Sequence, residues 1–241
     1  MCSLLGEELL PAGPGGHALP VAVKVPTALS FFASGSFQSV TGDISRVYQS
    51  AAPNCIRQVR DGLFARAVSF VNFPCDDKSQ NERALGFASL AGFSQVQVAI
   101  DYTHVAIRAP PDQPGAFVNS KAFHSINVQL VFNHKKRFMQ VWARFPGSCH
   151  DAFILWQSNI PNLLVPGSRL RGWLLDDKGY LLQTWLITPL RNPTNEPQEH
   201  YTASHMSTRY VIEQAIGMLK MRFRCLDRSG GALQYSPGSL G

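Results

Sequence analysis

Val96-Gln97-Val98-Ala99-Ile100-Asp101-Tyr102-Thr103-His104 is an apolar, β-branched run that ends on a carboxylate. Such a run is predicted to form a buried strand, and a buried strand normally excludes charge. Asp101, set at the end of that strand beside a cleft, is therefore a candidate ligand for a divalent cation, because hard cations take carboxylate oxygens. Two later stretches repeat the logic. Trp173-Leu174-Leu175-Asp176-Asp177-Lys178-Gly179-Tyr180 is a second apolar run ending on acid before a glycine turn, and Arg209-Tyr210-Val211-Ile212-Glu213-Gln214-Ala215-Ile216-Gly217 sets a lone glutamate inside a long helical pattern. The order is Asp101, Asp177, Glu213, at separations of 76 (177 − 101) and 36 (213 − 177). Each acid alone reads as a surface group or a turn cap. Three convergent carboxylates hold two divalent ions roughly 4 Å apart and run hydrolysis or strand transfer at a phosphodiester.

Downstream of Asp101, Pro110 to Gly115 is a loop, and Ile126, Val128, Leu130 and Phe132 alternate with Ser125, Asn127 and Gln129 as a strand with one polar face. Asn133 to Lys136 turns the chain into a returning strand, Phe138 to Phe145. Ser148 and Asp151 have the spacing of a capping box opening a helix through Phe153, Ile154 and Trp156. After the strand that carries Asp177 and a loop from Pro189 to Pro197, a last helix is expected from about Ser204 to Phe223. Its stripe is Ile212, Ala215, Ile216, Leu219 and Phe223, with Glu213 at the border and Arg209, Lys220 and Arg224 on the same face as candidate phosphate contacts. Strand, hairpin strands, helix, strand, helix is the order of a ribonuclease-H-like α/β core.

Upstream, residues 1 to 26 are rich in Pro and Gly and read as an unstructured lead-in. Residues 27–75 turn helical. Leu29, Phe32 and Ala33 form one run, Phe37, Val40 and Ile44 a second, and Cys55, Ile56, Val59, Leu63 and Phe64 a third, capped at Ser50 with Pro53 in its first turn. Three short helices with tight turns suggest either a helix-turn-helix, with Arg57 and Arg60 as phosphate contacts, or a small helical bundle that only packs. Residues 76–95 form a connector into the Asp101 strand, polar and then mildly helical from Asp76 to Gly92.

The 241 residues, 45% hydrophobic, suffice for one good core and a small accessory unit. A net charge of +6 and a pI near 9.2 favour a polyanionic partner. Five scattered cysteines without a CxxC exclude a zinc ribbon or a disulfide framework and imply a reducing compartment. No secretory signal is expected, and no stretch nears the roughly 20 apolar residues of a membrane helix. Ser148, His150 and Asp151 are too close in sequence for a hydrolase triad. His200, His205 and Cys225 fit no zinc spacing, and Trp142, Trp156, Trp173 and Trp185 read as core.

From Phe31-Phe32-Ala33-Ser34-Gly35-Ser36-Phe37-Gln38 onward the chain resembles the PIF/Harbinger transposase-derived nucleases, most closely their vertebrate domesticated branch. The resemblance rests on Ala99 to Ile107, Val118-Asn119 with His124 to Asn127, and Phe145-Pro146-Gly147-Ser148 with His150-Asp151. Trp173-Leu174-Leu175 with Asp177 and Gly179-Tyr180, Thr188-Pro189-Leu190, and Val211-Ile212-Glu213 complete it. It implies an RNase H-like DDE nuclease core behind a helix-turn-helix, with Asp101, Asp177 and Glu213 as catalytic metal ligands for Mg2+ or Mn2+. Asp101 would bridge two ions while Asp177 and Glu213 each hold one, and Asp176, His150 and Asp151 are possible accessory residues. DNA as substrate, a Myb-like partner protein, and residence in nucleus and cytoplasm follow from the same resemblance. The chain departs from the family pattern at Tyr102, at Asp176 where a glycine is usual, at Gln214 and at Thr202-Ala203, and it is expected to be truncated at Gly241. A metal-dependent nuclease and a catalytically silent DNA- or protein-binding remnant both remain open at this point.

Overall fold

The strand that contains Asp101, β1 (Val96–Ala106), lies at the centre of a five-stranded mixed sheet of order β3-β2-β1-β4-β5 in the computed structural model of the chain. The structure describes Cys2, Leu5, Gly6, Leu9, residues 19–35, 51–165, 167–177, 179–180 and 183–230, and Leu233. On one side β1 pairs antiparallel with β2 (Ser125–Phe132), which pairs antiparallel with β3 (Phe138–Pro146). On the other it pairs in parallel with β4 (Trp173–Leu175), which pairs in parallel with β5 (Leu186–Ile187). The alternation expected for β2 is present, but Ser125, Asn127 and Gln129 are buried, because β2 is an interior strand covered on both faces.

Val98, Ile100 and Leu174 bury one face of the sheet against Leu155 of α5 (Asp151–Gln157) and Leu164 of α6 (Ile160–Leu164). Successive strand residues point to opposite faces, so Asp101 points away from this apolar cluster. Two expected termini differ from those observed. The last helix, α7 (Glu196–Arg222), starts eight residues before Ser204 (204 − 196), and Arg224 falls in a separate 3-10 turn beyond its end. Its early start has a local cause: Asn195 Oδ1 accepts from the Gln198 N–H at 3.0 Å, and Pro197 sits in the first turn where a missing N–H costs nothing. The Ser148–Asp151 capping box does not form, since His150 takes the N-cap position of α5 without a side-chain cap. Of the four tryptophans expected in the core only Trp185 is buried, and Trp156 is 55% exposed.

The expected connector is a helix, α4 (Asp77–Ala91), capped by Asp76 and closed by Gly92 at φ +77°. It carries a buried polar clamp. Arg83 Nε donates to Gln97 Oε1 at 3.2 Å, and Gln97 Nε2 donates to the Arg171 carbonyl at 3.1 Å. Gln80 Oε1 accepts from the Arg171 N–H at 2.9 Å, while its amide nitrogen donates to the Arg169 carbonyl at 3.0 Å. These bonds tie α4 to β1 and to the segment that leads into β4, and so align the two strands that deliver Asp101 and Asp177.

The chain divides into two compact units, Met1–Phe70 with Leu219–Leu233, and Val71–Met218 with Gln234–Gly241. The first contains α1 (Val21–Ser34), α2 (Ala52–Ala65) and the single turn α3 (Ala67–Phe70). Val21 to Pro26, expected in the unstructured lead-in, are helical, and Leu5 and Leu9 are buried. Buried Lys24 explains part of this, donating from Nζ to the Leu9 carbonyl at 2.9 Å. Helix α2 buries Cys55, Ile56 and Val59 as its spacing predicts; its N-cap is Ala51 and not Ser50, with Pro53 in the first turn. The expected helix through Phe37, Val40 and Ile44 lies outside the described residues. Among the described residues, no helix is long and apolar enough to cross a membrane.

Candidate active site

Asp101 is in the middle of β1 and not at its end, and the pairing explains why a carboxylate is tolerated there. On the β2 side the ladder continues past it, Asp101 opposite Leu130 and on to Ala106 opposite Ser125. On the β4 side the ladder stops at Ala99 opposite Leu175. Extending that parallel register by two residues sets Asp101 alongside Asp177, so the sheet opens beside the acid as β4 ends. Asp177 begins the turn after β4, where its Oδ1 accepts from the Gly179 N–H at 2.8 Å. Glu213 comes from α7, with Ile212 and Ala215 buried beside it.

The three acids converge on Arg209, one turn before Glu213 on α7. Its Nη2 is 3.6 Å from Asp101 Oδ2 and 3.5 Å from Glu213 Oε1, and its Nη1 is 3.6 Å from Asp177 Oδ2. These are charge contacts longer than good hydrogen bonds, and Arg209 Nε is buried without a partner among the described residues. Side-chain exposure grades from 16% at Arg209 and 21% at Asp101 to 48% at Asp177 and 55% at Glu213, so the site has a floor and a rim. Burial pushes the Asp101 carboxyl above its ordinary pKa, opposed by the Tyr102 N–H that bonds it at 2.8 Å and by the Arg209 charge. The mouth is a cleft of about 530 Å3 lined by Asp177, Pro189, Met206, Arg209, Tyr210 and Glu213.

Three carboxylates with no sulfur or imidazole among them are the donor set that suits Mg2+ or Mn2+. Among the described residues, no group of three His, Cys, Asp or Glu side chains is closed tightly enough to grip an ion. The Arg209 guanidinium lies between the three acids instead.

The remaining candidates divide. Asp176 is buried, with Oδ1 accepting from the Asp177 N–H at 2.7 Å and Oδ2 unpartnered among the described residues, so it is closed to the cleft. Burial pushes its carboxyl well above the ordinary value. Asp151 accepts from Asn127 Nδ2 at 2.7 Å; burial raises its carboxyl, and the Asp177 charge adds in the same direction. His150 caps α5 with its backbone alone. Lys220 and Arg224, expected on the Glu213 face, belong to the first compact unit, where their charges act on Asp227. Arg57 is exposed and donates to Asn54 Oδ1 at 3.1 Å, and Arg60 pairs with Asp61 at 2.7 Å. Arg209, expected as a phosphate contact on the Glu213 face, sits among the acids. Its i, i+4 spacing from Glu213 is the one signal in the sequence that pointed there. His205, not expected to function, is buried below the site, its Nε2 3.3 Å from the Ile187 carbonyl oxygen.

The mixed sheet supplies one acid from β1 and one from the turn after β4, and the long helix α7 supplies the third. Residues 100–240 match the DDE superfamily endonuclease family, and the chain belongs to it. The chain is 38% identical over 237 residues to the Homo sapiens protein "Putative nuclease HARBI1", covering 98% of this chain and 68% of that one. The Xenopus laevis protein of the same name is 34% identical with the same coverage. "Protein ALP1-like" of Arabidopsis thaliana is 27% identical over 251 residues, 94% of this chain and 60% of that one. The Harbinger-derived branch of the superfamily is thereby established. No solved structure matches.

Proposed function

We propose that the chain is a metal-dependent DNA nuclease with Asp101, Asp177 and Glu213 as its ligand set. One observation carries this reading: acids 76 and 36 residues apart reach a common cation, at 3.5 to 3.6 Å, in a chain of nuclease descent. Divalent ions held there would activate the attacking water or 3′-hydroxyl and stabilise the leaving oxygen. The chain's own residues do the rest. Asp101, on the rigid central strand, sets the floor of the site; Asp177 and Glu213 close it from a turn and a helix; the cleft beside Tyr210 admits a strand of nucleic acid.

The strand order, with β2 alone running antiparallel to β1 and β3, β4 and β5 running in its direction, supports an RNase H-like core. The exposure of Arg57 on α2 supports phosphate contact by the N-terminal helices in a helix-turn-helix. On descent alone, a Myb-like partner and a nuclear and cytoplasmic residence belong to the same proposal. A catalytically silent binding remnant is the second reading, favoured by the presence of Arg209 where an ion would lie.

The test is nicking of supercoiled DNA in Mn2+, with circular dichroism to confirm folding. Asp101→Asn should lower the rate on the order of 10³-fold, several kcal/mol of lost charge stabilisation. A folded wild-type chain that neither binds Mn2+ nor nicks DNA leaves the silent remnant.

A further inference from the structure

Arg209 is not used by the mechanism above, yet it is the residue all three acids share. Its fork spans Asp101, Asp177 and Glu213, and none of the three contacts reaches good hydrogen-bond length. An arginine placed there for stability alone would be expected to dock in a bidentate geometry. Here the guanidinium floats between three carboxylates, Nε has no partner among the described residues, and the cleft beside it is open. The contacts have the character of a cation held by field and not by directed bonds.

We propose that Arg209 is the resident counter-cation of the metal-free site, competing with the divalent ion for the three carboxylates. Resting on the reading of those acids as metal ligands, the proposal adds an order of events. Without an ion, Arg209 neutralises the cluster, keeps the three acids gathered, and withholds its own charge from DNA. An ion that takes the carboxylates releases the guanidinium into the cleft, where a backbone phosphate is its next partner. Phosphate affinity is then coupled to metal loading through a single side chain, and by linkage DNA should tighten metal binding in turn.

The experiment is Mn2+ titration by calorimetry, without DNA, on wild type, Arg209→Gln and Arg209→Lys, each checked by circular dichroism and thermal unfolding. Arg209→Gln should bind Mn2+ at least tenfold more tightly than wild type, and its metal-free melting temperature should fall and be restored by the ion. Arg209→Lys, a point charge without a fork, should lie between. If the Gln variant does not fold, the Lys variant decides: tighter binding than wild type supports the competition and equal binding overturns it. A folded Gln variant that binds Mn2+ no more tightly than wild type also overturns it, while leaving the nuclease reading intact. If no form binds Mn2+, the nuclease reading itself fails and the proposal with it. A second arm measures binding of a random-sequence duplex in Ca2+ across a salt series. The slope of log K against log salt should be shallower by about one in Arg209→Gln with Ca2+ and unchanged without it. Equal slopes in Ca2+ remove phosphate capture from the proposal.

Discussion

Asp176 and Asp177 are adjacent in sequence, but the pleat turns them to opposite faces. Asp177 meets solvent and Arg209, whereas Asp176 is buried with one oxygen unpartnered among the described residues. A carboxyl whose pKa is raised by folding is destabilising above that raised value and neutral in effect below the unfolded one. Asp176→Asn should therefore be more stable than wild type at pH 7, and the gain should vanish as pH falls to the ordinary carboxylate range near 4; a urea midpoint that is unchanged at pH 7 contradicts this. Both acids of the pair were visible as residues. The sequence already singled out Asp177 and left Asp176 open as an accessory; that Asp176 is shut away from the cleft was not legible, because a face is assigned only when the register between β1 and β4 is known. The same holds for Arg209: helix spacing gave its proximity to Glu213, but its contacts with Asp101 and Asp177 need three distant segments brought together.

At the scale of elements, the site depends on how β4 is aligned with β1. Gly172 precedes β4 at φ +137°, and a Cβ there would lie 2.1 Å from the Gln95 carbonyl oxygen. The close approach permits the Trp173 N–H to donate to that same carbonyl at 3.0 Å. Gly172→Ala should cost about 3 kcal/mol or more and loosen the Asp177 turn, seen as a drop in denaturation midpoint together with weaker Mn2+ binding. The α4 clamp makes the second case. Gln97→Ala strands Arg83 Nε and the Arg171 carbonyl in the interior, with an expected loss of about 2 to 4 kcal/mol by urea denaturation. A polar, mildly helical connector from Asp76 to Gly92 was legible; its role as a clamp was not, since Gln80, Gln97 and Arg171 find one another only across the fold. Likewise Asn195 and Pro197 look like loop residues until Asn195 is seen capping α7.

Over the whole molecule, stability against pH has two opposing contributions. His205 is buried, and burial lowers its pKa to about 4, so between that value and 6.5 the unfolded chain binds the proton more strongly. Stability therefore falls as pH drops through this interval, by about 3 kcal/mol from this group. Asp101, Asp151 and Asp176 act in the opposite sense, their raised pKa values favouring the fold as they protonate. Comparison with His205→Gln isolates the histidine: the stability difference between wild type and variant should shift by about 3 kcal/mol against wild type from pH 7 to pH 4, and a constant difference would exclude the effect. Local pattern alone was enough to mark β1, the β2–β3 hairpin, the amphipathic α2 and the three acids, because period, spacing and family motifs are written in neighbouring residues. Tertiary structure alone decided that Asp101 lies mid-strand where β4 stops, that Asp176 is shut away, that Lys220 and Arg224 belong to another unit, and that Arg209 stands among the acids. Each of these is a relation between segments far apart in the chain, fixed by register and burial, and no local period encodes it.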